Sequence, residues 1–188
     1  MRSLPRSWRR ADEAGLRMTV SVRACEERDL VATVELFNEL IPTTTVAWTD
    51  VLTSVEERSA ALADHRNDGF PVLVAVEGDG ATETVLGVAS YGAFRNRRRF
   101  EGYRFSVEHS IHIRGERRGG GIGRTLLGAL MDHAREAGAH VMVGAIDGDN
   151  EDSLRFHERM GFTEVARMPE TGFKFGRWLD LVLVQRIL

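Results

Sequence analysis

From Gly119 to Gly123 the chain carries four glycines, with a segment of alternating polarity before them and one of helical periodicity after them. Before the run, FSVEHSIHI sends Phe105, Val107, Ile111 and Ile113 to one face and Ser106, Glu108, Ser110 and His112 to the other, as a half-buried strand does. After it, Leu126, Leu127, Leu130, Met131 and Ala134 form one apolar stripe, Gly138 stops the helix, and HVMVGAI supplies another strand. Strand, turn, helix and strand in that order predict a mixed α/β sheet. The turn also predicts an anion site. Glycines let consecutive amides turn inward, and the helix start adds partial positive charge, so a diphosphate is the natural guest.

Spacing separates the loops that could do this. A P-loop needs Gly-x-x-x-x-Gly-Lys-[Ser/Thr], but this run continues Arg124-Thr125-Leu126. A dinucleotide fingerprint needs Gly-x-Gly-x-x-Gly after the first strand, whereas Gly121 and Gly123 are followed by Leu126 and lie late in the chain.

The remaining sequence predicts one domain over residues 19 to 188, behind a leader (1 to 18) that lacks sustained periodicity and reads as disordered. Leu30, Val31, Val34, Phe37, Leu40 and Ile41 recur at helical spacing between Glu27 and Ile41. Ser54 with Glu57 forms a capping box opening a second helix that ends near Gly69. Phe70 to Val76 and TVLGVASYGAF read as a hairpin. Asp147 to Asn150 make a turn, SLRFHERM a short helix with Gly161 as its left-handed cap, and TEVARM and WLDLVLVQRI two more strands. Trp178, Leu179, Leu181 and Leu183 belong to a buried strand or a subunit contact.

Composition excludes several classes. With 25 basic and 28 acidic residues, a net charge of −3 and a pI of about 6.1, the chain lacks the footprint of a nucleic-acid binder. The run Arg95, Arg97, Arg98 and Arg99 could attract an anion, but Arg97 to Arg99 read as a solvated loop. Cys25 is the only cysteine, so neither an internal disulfide nor a multi-cysteine metal site is expected. No apolar run is long enough to span a bilayer and no signal peptide is legible, so no membrane partner and a cytoplasmic location are expected.

Arg118-x-x-Gly-x-Gly after the IHI strand resembles the acyl-CoA pyrophosphate loop of the GNAT superfamily of N-acetyltransferases. Asn150, Ser153, His157 and Gly161-Phe162 resemble the second half of that superfamily's cofactor site. Over residues 18 to 188 the stretches FNELIPTTTVAW, GFPVLVAVEG, GYRFSVEHSIHI, SLRFHERMGF and KFGRWLDLVLVQR are similar to the phosphinothricin and methionine-sulfoximine acetyltransferase branch. The resemblance implies a GNAT-like α/β fold: a mixed, mostly antiparallel central sheet flanked by helices, with a V-shaped split between the IHI and HVMVGAI strands. It implies acetyl-CoA as co-substrate and a homodimer. Ser110, Ile111, His112 and Ile113 would pair with the pantetheine arm. Amides of Arg118, Gly119, Gly120, Gly121, Ile122 and Gly123 would hold the pyrophosphate, Asn150 would contact the cofactor near its thiol end, and Ser153 would be a further cofactor-binding residue.

An ammonium cannot attack a thioester until it loses a proton, and Glu108, at the junction of both substrates, is the expected base and anchor. Arg95 matches a position lining the amino-acid pocket, where a guanidinium suits a carboxylate or phosphinate. The connection NRRRFE is longer than in that branch, which leaves the aim of Arg95 open. Phe94, Tyr103, Val107 and His109 are further pocket candidates, each equally readable as packing. His157 stands where many members carry a tyrosine that protonates the departing thiolate; a ring held by backbone is the alternative. His109 and His112 lie three apart on a strand and face opposite sides, so no metal is expected. The expected activity is acetyl transfer to the amine of a small amino-acid-like substrate of the phosphinothricin, methionine sulfoximine or methionine sulfone type. The alternatives are a GNAT enzyme acting on a polyamine, an aminoglycoside or a protein N-terminus, a non-catalytic acyl-CoA sensor, and a nucleotide-binding module.

Overall fold

The computed structural model describes residues 20–188; the expected leader, 1 to 18, lies outside the described residues. Among these, strands β1 (Val20–Ala24), β2 (Val72–Glu77), β3 (Thr84–Ala93), β4 (Ser106–Ile113), β5 (Val141–Asp147), β6 (Thr163–Lys174) and β7 (Arg177–Ile187) form one sheet in the order β1-β2-β3-β4-β5-β7-β6. The helices are α1 (Leu30–Leu40), α2 (Val55–Asp68), α3 (Ile122–Glu136) and α4 (Glu151–Arg159). This is the mixed, mostly antiparallel α/β sheet expected from the sequence.

Each face of the sheet is closed by helices. Leu126, Leu127 and Leu130 of α3 pack on Leu73, Ala75 and Leu86 on one face, and Leu36 and Leu62 of α1 and α2 pack with Val74, Val76 and Val88 on the other. Strand β2 is therefore buried on both sides, which is why FPVLVAV reads as one unbroken apolar run. Burying each of these leucines contributes about 1.5–3 kcal/mol.

Helix α2 begins where the capping box places it. The Glu57 amide donates to Ser54 Oγ at 3.1 Å, and the Ser54 amide donates to the Glu57 carboxylate at 2.8 Å. Its end is Gly69 at φ 76, donating back to the Arg66 carbonyl. Ser54→Ala is expected to cost about 1 kcal/mol, read as a lower denaturation midpoint at unchanged slope.

Two expectations shift. Phe105 falls before β4 begins and is exposed, with the Arg104 guanidinium 4.4 Å from its ring centre, so the inward row starts at Val107. Strand β6 runs past TEVARM to Lys174 through two bulges, then turns into β7 at Phe175-Gly176, both at positive φ. There Leu179 is buried while Trp178 is 59% exposed and packs edge-on against Phe173 at 5.0 Å.

The feature that creates a site is the junction of β4 and β5. All other neighbouring strands are antiparallel; these two run parallel, and only from Ser106↔Val141 to His109↔Gly144. Beyond that point β4 stays with β3 as far as Ile113↔Gly87, and β5 stays with β7 as far as Asp147↔Leu181. The two strands part because each is held by its outer neighbour. Among the described residues, the β5-facing edge of Ser110 to Ile113 is left without a strand partner.

Candidate active site

A cavity of about 860 Å³ occupies this opening, within the ~300–1,000 Å³ common for ligand sites. On one side it is bounded by the glycine run and the start of α4, on the other by the segment between α1 and α2.

The glycine run has the conformation its composition suggests. Gly119 and Gly121 sit at φ 79 and 82, the left-handed region that strains any residue with a Cβ. Gly121 precedes α3, whose first intrahelical bond runs from the Thr125 amide to the Gly121 carbonyl at 3.1 Å. The amides of Ile122, Gly123 and Arg124 thus need partners from outside the helix. A Cβ on Gly123 would lie 3.3 Å from the Phe156 ring, so this glycine lets the two helices meet. Gly119, Gly121 and Gly123 line the cavity with Arg118; Gly120 does not, and the Ile122 side chain is buried in the core under α3. Arg118, Arg124 and Arg159 also line it, and none of the ion pairs among the described residues involves them. The mouth is therefore cationic in a chain whose net charge is −3.

Glu108 stands near the end of the paired stretch of β4, opposite Gly92 on β3 and Val143 on β5, and lines the cavity. Partial burial pushes its carboxyl above the ordinary range, and the charge of Arg95 pulls it back down. Ser110, Ile111, His112 and Ile113 continue along the open edge and line the same cavity.

The histidines fall as the strand period requires. His109 turns to the α3 side, where its ring stacks on His157 at 5.2 Å and meets Phe162 edge-on at 5.3 Å; His112 turns to the other side, against Phe37 at 5.3 Å. Burial pushes His109 down to about 3, helped by His157 and His112, and His112 down to about 4, helped by Arg58 and Arg118. His157 is lowered as well, by burial against the opposing pull of the Ser153 carbonyl. That carbonyl lies 2.8 Å from His157 Nδ1 and can only accept, so Nδ1 carries the proton and the neutral ring presents Nε2 as an acceptor. Among the described residues, Nε2 of His157 and both ring nitrogens of His109 have no protein partner.

Asn150 caps α4, its side-chain oxygen accepting from the Ser153 amide at 3.1 Å; both residues line the cavity. Phe94, Arg95 and Tyr103 do not lie on its wall in the single chain. They form a cluster past the end of β3, with Arg95 over the Phe94 ring at 5.0 Å and Phe94 6.0 Å from Tyr103. Val107 takes the packing alternative: it is 4% exposed and belongs to the core facing α3, because it shares the inward face of β4.

Sequence reasoning missed the opposite wall. Thr45, Val46 and Trp48 reach the cavity from the irregular segment after α1, and Asp147 reaches it from the end of β5, with Oδ2 buried and unpartnered among the described residues. The polar run TTTVAW carries no periodicity to mark it. In the sequence Asp147 reads only as the start of a turn.

The parting of β4 from β5 over a glycine-capped helix is the V-shaped split that the GNAT resemblance implies, and comparison with known proteins gives the family. The model of the acetyltransferase (GNAT) family matches residues 17–162, and the chain belongs to that family. It is 41% identical over 168 residues to the L-methionine sulfoximine/L-methionine sulfone acetyltransferase of Pseudomonas aeruginosa, covering 89% of this chain and 94% of that protein. The structure of yncA, a putative acetyltransferase from Salmonella typhimurium with its cofactor acetyl-CoA, superposes with a TM-score of 0.83 at 40% identity, covering 90% of this chain and 94% of the other. A phosphinothricin acetyltransferase from Sinorhizobium meliloti in complex with acetyl-CoA gives 0.83 at 34% identity, covering 91% and 89%.

Proposed function

We propose that this protein transfers the acetyl group of acetyl-CoA to the amine of a small amino-acid-like substrate of the methionine sulfone, methionine sulfoximine or phosphinothricin class. The observation that carries this reading is the parting of β4 from β5 with Glu108 at its root and the glycine turn at its mouth. The open edge from Ser110 to Ile113 suits an extended amide-bearing arm, which would add to β4 as a strand does. The amides that open α3, with Arg118 and Arg124, suit the pyrophosphate. Acetyl-CoA supplies the thioester. Glu108 takes the proton that the acceptor ammonium must lose, and its raised pKa brings it closer to the amine it serves. Holding both substrates together supplies much of the acceleration, so no acyl-enzyme is needed. His157, with its donor committed to Ser153, forms part of the wall in the neutral state and accepts rather than donates at Nε2.

Arg95 is the proposed carboxylate anchor: it stands off the cavity wall, past the end of β3, and its charge reaches the Glu108 carboxyl that lines the cavity. A homodimer belongs to the same reading: Phe173, Phe175, Trp178 and Met168 are exposed together on the β6–β7 ribbon, an apolar surface of the kind that marks protein contacts.

The test is release of CoA thiol from acetyl-CoA with methionine sulfone, methionine sulfoximine, phosphinothricin, ordinary amino acids and polyamines as separate acceptors. Saturable release with the sulfur or phosphinic compounds supports the proposal; release with polyamines alone overturns the substrate class. Arg95→Ala is expected to raise the acceptor KM about 10-fold or more, the worth of one charge-assisted hydrogen bond, while acetyl-CoA binding holds.

A further inference from the structure

Lys174 is the only lysine among the chain's 25 lysines and arginines, and its exposure is 2%. A buried ammonium is tolerated only where its N–H groups are all donated. Here Nζ donates to the carbonyls of Ile41 at 2.7 Å, Thr44 at 2.9 Å and Ala47 at 2.6 Å. All three acceptors belong to the irregular segment between α1 and α2. The first two follow the C-terminus of α1, where the helix dipole presents partial negative charge to a cation. Three carbonyls converging on one atom suit the compact ammonium; the donors of a guanidinium are spread over a planar fork and cannot meet them in the same way.

The same ribbon grips this segment at a second point. A Cβ on Gly172 would come within 2.2 Å of Trp48 Cε3, so the indole lies directly on the β6 backbone. Phe175, at φ 52 in the turn, places its ring 4.9 Å from Lys174 Nζ and covers the ammonium. Between and beside these grips stand Thr45, Val46 and Trp48, the cavity wall on the face of the sheet toward which Glu108 points.

We infer that Lys174 is a positioning residue for the acceptor: it fixes residues 41–48 as the wall against which the amine is held before Glu108, and touches neither substrate itself. The inference rests on the reading that this side of the cavity takes the amine. Without the ammonium, three carbonyls, that of buried Ile41 among them, lose their donor and the wall loosens.

The experiment compares Lys174→Met, Lys174→Arg and Gly172→Ala in the full chain. It measures amide exchange over 41–48 without ligands, the acetyl-CoA Kd, and the KM and kcat for methionine sulfone. Exchange over 41–48 is expected to rise at least ~10-fold in Lys174→Met. The acceptor KM should rise at least ~10-fold in Lys174→Met and Gly172→Ala, with the acetyl-CoA Kd within about 2-fold of the parent and no rescue by arginine. Unchanged exchange in Lys174→Met overturns the clamp. Faster exchange with an unchanged acceptor KM overturns the positioning role. Should the parent protein acetylate none of the amines, the functional reading falls, and exchange still decides the clamp. Should Lys174→Met not fold, Gly172→Ala displaces the same wall with the ammonium in place, and an unchanged acceptor KM there overturns the inference.

Discussion

Glu108→Gln is expected to lower kcat by about 10²- to 10⁴-fold, the usual worth of a positioned general base, while acetyl-CoA binds as before. Stability separates this role from a structural one. The folded protein holds the Glu108 carboxyl above its ordinary pKa because burial disfavours the charge. A carboxyl raised in this way contributes stability at low pH, which is lost as pH rises through its folded value. At neutral pH the ionised group therefore opposes folding, and its neutral amide isostere should leave Tm unchanged or raise it. Loss of turnover with a retained or higher Tm is the signature of a group kept for chemistry. A fall in Tm together with kcat would instead make Glu108 part of the scaffold. The pH profile gives a second measure: kcat/KM should fall on the acid side, with the limb displaced above the ordinary carboxylate range. Arg95→Ala should move that limb to still higher pH, since Arg95 favours the ionised carboxylate.

Local chemistry made much of the fold legible. Ser54 with Glu57, Gly69 and Gly161 mark helix ends because cap geometry depends on neighbours a few residues away. The period of two assigned His109 and His112 to opposite faces, as the structure has them. Legibility stops where the site depends on how strands diverge. Val107 and His109 share a face of β4, yet one is core and the other borders the cavity, because β5 leaves β4 just after His109↔Gly144. No period along β4 reports the path of β5. Lys174 shows the same limit from another side: a lysine between two phenylalanines reads as a solvated position, since lysine is almost never fully buried. Its partners lie some 130 residues away, at Ile41, Thr44 and Ala47.

The glycine turn gives the second large effect. Gly121→Val is expected to weaken acetyl-CoA binding by about 10²-fold or more, with little change in the affinity of the site for the acceptor. At φ 82 a β-branched residue is strained by its own carbonyl, so the turn must rotate out of the left-handed region. Gly121 immediately precedes α3, and the rotation carries with it the amides that open that helix. Each hydrogen bond to a charged oxygen is worth about 1.5–3 kcal/mol, so two misdirected amides account for a loss of this size. Gly128→Ala is the internal control on the same helix. A Cβ at Gly128 meets nothing within 4 Å, and the helical backbone accepts alanine better than glycine by up to about 1 kcal/mol. Titration calorimetry with CoA should therefore separate the two: Gly128→Ala binds as the parent does and melts no lower, while Gly121→Val stays folded and loses the cofactor. Equal binding by both variants would mean that Arg118, Arg124 and Arg159 hold the pyrophosphate as point charges. Raising the ionic strength would then weaken binding in the parent and in Gly121→Val alike.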